Sequence, residues 1–72
     1  MKNLTKEEEV VLNAIKLFIR ANKYSPTVRE LCFFTDKHSP ATVHYHLKNL
    51  KKKGYIDYTE NRNRTIRVLE VI

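Results

Sequence analysis

Ser39–Gly54 reads SPATVHYHLKNLKKKG, one amphipathic helix with both ends marked. Ser39 can cap the first turn through its hydroxyl, and Pro40 stands where a missing N–H costs nothing. Gly54 can take the left-handed conformation that closes a helix. Val43, Leu47 and Leu50 recur at helical spacing and so share one face. At roughly 100° per residue, Ala41, His44, Tyr45, Lys48 and Lys52 point the other way. That outer face mixes small, aromatic and cationic side chains and carries no acid. An element anchored on one side and offering such groups on the other suits the major groove of DNA, and it reads as a recognition helix.

Upstream of it the chain reads as a holder. Thr5-Lys6-Glu7-Glu8 fits a capping box, and Glu7, Glu8 and Glu9 face the positive end of the helix they open. Val10, Val11, Ala14, Ile15, Phe18 and Ile19 form an apolar stripe over a first helix of about residues 6–21. Asn22, tolerant of left-handed backbone, is the expected stop. The stripe reads as core, with a dimer seam as the alternative. After a Lys23–Pro26 connector, Thr27-Val28-Arg29-Glu30 is a second capping box. It opens a second helix of about residues 28–34 with Val28, Leu31 and Cys32 inward. Phe33 and Phe34 are adjacent and cannot both face one direction, so one is expected in the core and the other on the wing or a contact surface. Cys32 reads as a small buried hydrophobe.

Thr35–His38 is a short polar turn between the second and third helices, which completes a helix-turn-helix pattern. Beyond Gly54 the period changes. Residues 55–59 and 64–72 are rich in Tyr, Ile, Thr and Val, which favours strands. Ile56 and Tyr58 share one face, as do Ile66 and Val68. Glu60–Asn63 between them is a polar turn whose asparagines tolerate positive φ. A hairpin directly after a recognition helix is the wing of a winged helix. Arg62 and Arg64 at its tip can reach phosphates or a narrow minor groove, or stand as solvated loop charges. The expected fold is therefore mainly α (α+β): three helices, the third at about residues 40–53, and a two-stranded wing at about 55–72, in a single domain over 1–72.

Composition agrees. Seventy-two residues, 42% hydrophobic and 31% charged, make one small globular domain with little room for an enzyme cleft. No apolar run approaches the roughly 20 residues of a membrane span, and the charged start, MKNLTKEEE, lacks a signal-peptide apolar segment. A lone cysteine excludes an internal disulfide, and together these features lead to a cytoplasmic expectation. The net charge is +6 and unevenly placed. Residues 1–36 hold six Lys/Arg against five Asp/Glu, a net of +1, and residues 37–72 hold eight against three, a net of +5. The excess lies with the reading helix and the wing, the footprint of a polyanion binder.

In order and spacing these segments resemble the N-terminal DNA-binding domain of the LexA repressors. The resemblance runs through the LT-containing start, YSPTVRE, the TVH and HL of the third helix, LKKKGYI and the R-x-I-R-V after the wing. It implies a winged helix-turn-helix repressor of the DNA-damage (SOS) response, reading the major groove of double-stranded DNA as a pair on a palindromic operator. It also implies base-reading positions at Ser39, Ala41, Thr42, His44 and Tyr45, with Arg64 near the wing's contact region. The family's C-terminal self-cleaving peptidase domain, with its serine–lysine pair, has no counterpart here. The expectation is therefore a non-enzymatic chain, either a fragment or a stand-alone protein. Asp36 and Lys37 replace a glycine and a leucine common in the family's turn, with Phe34 as a compensating bulk. Tyr45 is larger than the small or acidic residue usual there, so the family's operator does not carry over with the resemblance.

On the reading face, His44 can donate to guanine N7 or O6, Tyr45 can bond a base edge or phosphate, and the methyls of Ala41 and Thr42 can touch thymine. Lys48, Lys51, Lys52 and Lys53 read as phosphate contacts or a solvated helix end, with Lys48 and Lys52 on the outer face. His38, His44, His46 and Cys32 invite a metal reading, but His44 and His46 lie roughly 200° apart on a helix and no second cysteine stands at finger spacing. No metal, cofactor or small-molecule substrate is expected. His46 belongs at the edge of the core face. The alternative function is a protein-binding adaptor or anti-repressor acting on a larger repressor or on RNA polymerase, with Phe33, Phe34 and Tyr58 as anchors. A third is sequence-blind binding to DNA or RNA through the same charges.

Overall fold

The computed structural model describes residues 3–35 and 39–69. The turn expected at residues 36–38 and the chain beyond residue 69 lie outside the described residues. Three helices, α1 (Lys6–Asn22), α2 (Val28–Thr35) and α3 (Pro40–Lys52), precede two short strands, β1 (Ile56–Asp57) and β2 (Arg67–Val68). The strands pair antiparallel, Ile56 opposite Val68 and Asp57 opposite Arg67. This is the winged helix-turn-helix arrangement expected from the sequence. Among the described residues no helix is long and apolar enough to cross a membrane.

Local chemistry sets the helix ends. The Thr5 hydroxyl accepts from the Glu8 amide at 3.1 Å, and the Glu8 carboxylate accepts from the Thr5 amide at 3.0 Å. Thr27 and Glu30 repeat the exchange at 3.1 and 2.9 Å to open α2. The Ser39 hydroxyl accepts from the Thr42 amide at 3.2 Å, with Pro40 in the first turn of α3. At the other end of α3, Gly54 has φ +87°. Its amide donates to the Lys51 carbonyl at 3.1 Å, and the Tyr55 amide donates to that of Leu50 at 3.0 Å. Those two crossed bonds are a Schellman closure, and they turn the chain from the reading helix into the wing.

The core is one cluster built from every element. Val11, Leu12 and Ile15 of α1 meet Leu31 of α2, Val43, Leu47 and Leu50 of α3, and Ile56 and Ile66 of the wing. Each such side chain taken from water contributes about 2 kcal/mol. One face of α3 is thereby fixed, and the opposite face is left outside.

Several expectations need correction. The left-handed residue ending α1 is Lys23 (φ 66°), not Asn22. The Asn22 amide group donates to the Phe18 carbonyl at 3.1 Å, so Asn22 completes the last turn and the reversal comes one residue later. The buried stripe of α1 is Glu8, Val11, Leu12, Ile15 and Phe18, while Val10 is exposed. Neither Phe33 nor Phe34 enters the core, because Leu31 already fills the inward position of this short helix. Phe34 instead meets Phe18 edge-on at 5.6 Å. Cys32 is half-buried against the core, not fully enclosed. Among the described residues the strands are shorter than the expected 55–59 and 64–72, and Arg64, expected to start the second, takes left-handed backbone instead (φ 57°), so that strand begins only at Arg67.

Candidate nucleic-acid interface

The outer face of α3 is open along its length. Ser39, Ala41, Thr42, His44, Tyr45, Lys48 and Lys52 are all exposed, and Val43, His46, Leu47 and Leu50 are buried beneath them. No acid interrupts the helix. The Ser39 and Thr42 hydroxyls lie 3.0 Å apart, so the first turn is held in shape while both remain at the surface. The Tyr45 ring meets His46 edge-on at 5.6 Å.

The four lysines that close α3 divide into two pairs. Lys51 turns back to the wing, donating to the Tyr58 carbonyl at 2.8 Å, pairing with Asp57 at 3.6 Å and lying over the Tyr58 ring at 4.5 Å. Lys53 turns back to α1, donating to the Asn3 carbonyl at 2.9 Å and to the Glu8 carboxylate. Lys48 and Lys52 face outward. The structural pair fastens the helix; the outward pair leaves cations beside the reading face.

The wing stands across a cleft of about 320 Å³ from α3, with His44 on one wall and Arg62 and Arg64 on the other. The Arg62 side chain is exposed and makes no hydrogen bond or ion pair with the described residues. Arg64 is differently placed. Its two terminal nitrogens donate to the two carboxylate oxygens of Glu30, each at 3.0 Å, and one also donates to the Ser25 carbonyl at 3.0 Å. Its guanidinium lies 4.8 Å from the centre of the Tyr24 ring. The Ser25 hydroxyl accepts from the Ile66 amide at 3.0 Å.

The electrostatics follow these contacts. The Arg64 hydrogen bonds, and then the Thr27 amide, hold the Glu30 carboxyl below the usual carboxylate range. Asp57 is lowered by the Tyr58 amide first, then by Arg67 and Lys51. Burial alone pushes Glu8 up, but the Lys53 hydrogen bond, the Thr5 amide and the nearby cations together bring it below the ordinary value. Burial, with the charge of Glu60, raises the Tyr58 phenol. Among the described residues no three His, Cys, Asp or Glu side chains converge as a metal site, and His38 lies outside those residues.

Local reasoning about the sequence missed the joints that fix this geometry. Glu8 and Lys53 are 45 positions apart, and Glu30 and Arg64 are 34 apart. The only local sign was that Glu8 and Glu30 each stand at the third position of a capping box. That position leaves carboxylate oxygen available for a second partner.

The chain matches the LexA DNA binding domain family over residues 1–65. It is 39% identical over 71 residues to the LexA repressor of Carboxydothermus hydrogenoformans, covering 96% of this chain and 35% of that protein. It is 44% identical over 70 residues to the LexA repressor of Desulfatibacillum aliphaticivorans, covering 97% and 34%. Identity is also 44%, over 69 residues, to the LexA repressor of Caldicellulosiruptor saccharolyticus, again covering 34% of the relative. The chain thus spans about a third of the length of these curated relatives.

Proposed function

The chain belongs to the LexA DNA-binding domain family, and from that premise we propose that it is a sequence-specific, double-stranded-DNA-binding transcriptional repressor. Residues 1–72 act as one domain, by binding and not by catalysis. Ser39, Ala41, Thr42, His44 and Tyr45 read base edges in the major groove. Lys48, Lys52 and Arg62 contact the backbone, and the wing that Arg64 ties to the helices reaches phosphates or the minor groove. The operator is palindromic, two copies bind it together, and the protein works in the cytoplasm in a DNA-damage circuit. The observation that carries this reading is the exposed, acid-free outer face of α3, whose opposite face is locked in the core. A basic groove-facing helix gains affinity from phosphates and specificity from base edges.

The test is selection of bound duplexes from a random pool at physiological salt, with the wild type and with His44→Ala and Tyr45→Ala. The expected result is an enriched palindrome, with each variant changing preference at single positions. A single enriched half-site would mean binding as a monomer. Uniform weakening by both variants would make His44 and Tyr45 backbone contacts. The exposed aromatics of α2, Phe33 at 88% and Phe34 at 63%, support the second reading, a protein-binding adaptor or anti-repressor. That reading takes over if no duplex is enriched and binding vanishes as salt rises.

A further inference from the structure

We infer that Arg64 and Glu30 form a clamp that sets the wing's position across the cleft from α3, and that Arg64 is a positioning residue for operator discrimination and not a phosphate contact. The inference rests on the DNA-binding reading and deepens it.

Three observations converge. First, the Arg64 guanidinium, though at the surface, has both terminal nitrogens engaged within the chain, forked onto both Glu30 oxygens, bonded to the Ser25 carbonyl and laid against Tyr24. Planar bidentate pairing of this kind fixes direction as well as distance. Second, Arg64 holds left-handed backbone, φ 57°, at a residue with a Cβ. Such strain persists where surrounding contacts over-determine it, and here the clamp supplies them. Third, the two strands are only two residues long, too short to hold a hairpin in register on their own. Beside the core contacts of Ile56 and Ile66 and the packing of Tyr55, Tyr58 and Val68 against them, the polar ties between wing and helices include Arg64 to Glu30, the Ile66 amide to Ser25 and Lys51 to Tyr58 and Asp57. Glu30 is in turn locked to Thr27 at the start of α2. The clamp therefore runs from the α1–α2 connector through α2 to the wing, along one wall of the cleft that His44 faces.

Glu30→Gln separates positioning from charge by the sign of its effect. Glutamine keeps the capping box with Thr27, so α2 retains its start. Removing an acid from a basic domain must strengthen DNA binding if charge alone matters. The clamp has the opposite consequence. Affinity is measured on the selected duplex and on a scrambled one, from 50 to 200 mM salt (about the range over which phosphate contacts reveal themselves). The expected result is about a tenfold loss on the selected duplex and no loss on the scrambled one. Arg64→Lys keeps the charge but loses the fork, and it should match that loss. The double variant should lose little more than either single one, as coupled partners do. Arg64→Gln should leave the salt slope unchanged, whereas a phosphate contact would lower it by about 0.9. Glu30→Gln binding the selected duplex as tightly as the wild type, or Arg64→Lys retaining full affinity, would overturn the inference.

A second readout needs no DNA. In free Glu30→Gln the Ile66 amide should exchange with solvent about tenfold faster or more, while the amides of Leu47 and Leu50 keep their protection. Unchanged Ile66 exchange removes the clamp even if the protein binds DNA. A wild type that binds neither duplex removes the DNA reading, and the operator role of Arg64 with it.

Discussion

Lys52 and Lys53 are adjacent, chemically identical, and put to opposite uses. Lys52 faces solvent beside the reading face, whereas Lys53 reaches the almost fully buried Glu8. A carboxylate enclosed in this way needs its partner, because removing one member strands a charge where water cannot solvate it. Lys53→Ala should therefore cost about 3 kcal/mol of unfolding free energy, the lower end for a broken buried pair because Lys53 itself keeps some exposure. Lys52→Ala should cost less than about 0.5 kcal/mol. Urea unfolding of the two variants checks both, and equal effects would refute the distinction. The phase of the helix already assigned Lys52, together with Lys48, to the outer face. It carried nothing about Glu8, whose burial follows only from the packing of α1 against α3. For the same reason Arg64 read as a tip cation. Its partners at Glu30, Ser25 and Tyr24 lie 34 to 40 positions away, and no local pattern connects them.

Helices whose ends carry their own chemistry were legible as elements. Thr5 with Glu8, Thr27 with Glu30 and Ser39 with Pro40 start the three helices where their side chains bond the first amides. Gly54 marks the end of α3 equally well, and it carries a measurable consequence. Its φ of +87° is strained for any L side chain, yet a Cβ there would meet nothing within 4 Å. Gly54→Ala should then cost only the backbone term, about 1 kcal/mol, with no added clash. Thermal unfolding reads the loss, and a much larger one would mean that the Schellman closure and the wing's entry angle fail together. What remained illegible depends on tertiary packing. Val10 and Leu12 are both apolar and two positions apart, so only the docking of α1 decides that Leu12 is buried and Val10 is not. Phe33 and Phe34 look like core by type, but α2 is too short to offer a second inward position beside Leu31. The wing's composition favours strands over most of its length, yet each described strand has two residues, and the left-handed backbone of Arg64 keeps the second from starting where the pattern begins.

At the scale of the whole molecule, ion pairs join the same elements that meet in the core. Glu8 of α1 pairs with Lys53 after α3, Glu30 of α2 with Arg64 of the wing, and Asp57 of β1 with Lys51 of α3 and Arg67 of β2. All three carboxyls are held below their ordinary values. A carboxyl depressed in the folded state adds stability that is fully present above its unfolded value and is lost as pH falls through the folded one. With unfolded carboxyls titrating near about pH 4, the melting temperature should stay level from neutrality to about pH 5 and fall progressively below that. Acidification acts a second time through the net charge, already +6 at neutrality, because each protonated carboxylate adds to self-repulsion. A domain of this size carries only about 7 kcal/mol of stability, so losing the buried Glu8 pair, with a smaller part from the exposed pairs of Glu30 and Asp57, removes a large share of it in acid. Because Glu8 is the one buried member, Glu8→Gln should flatten the acid limb more than Glu30→Gln or Asp57→Asn. Melting curves at one-unit pH steps compare the three. A melting temperature that held to pH 3 in the wild type would mean that these pairs contribute no stability.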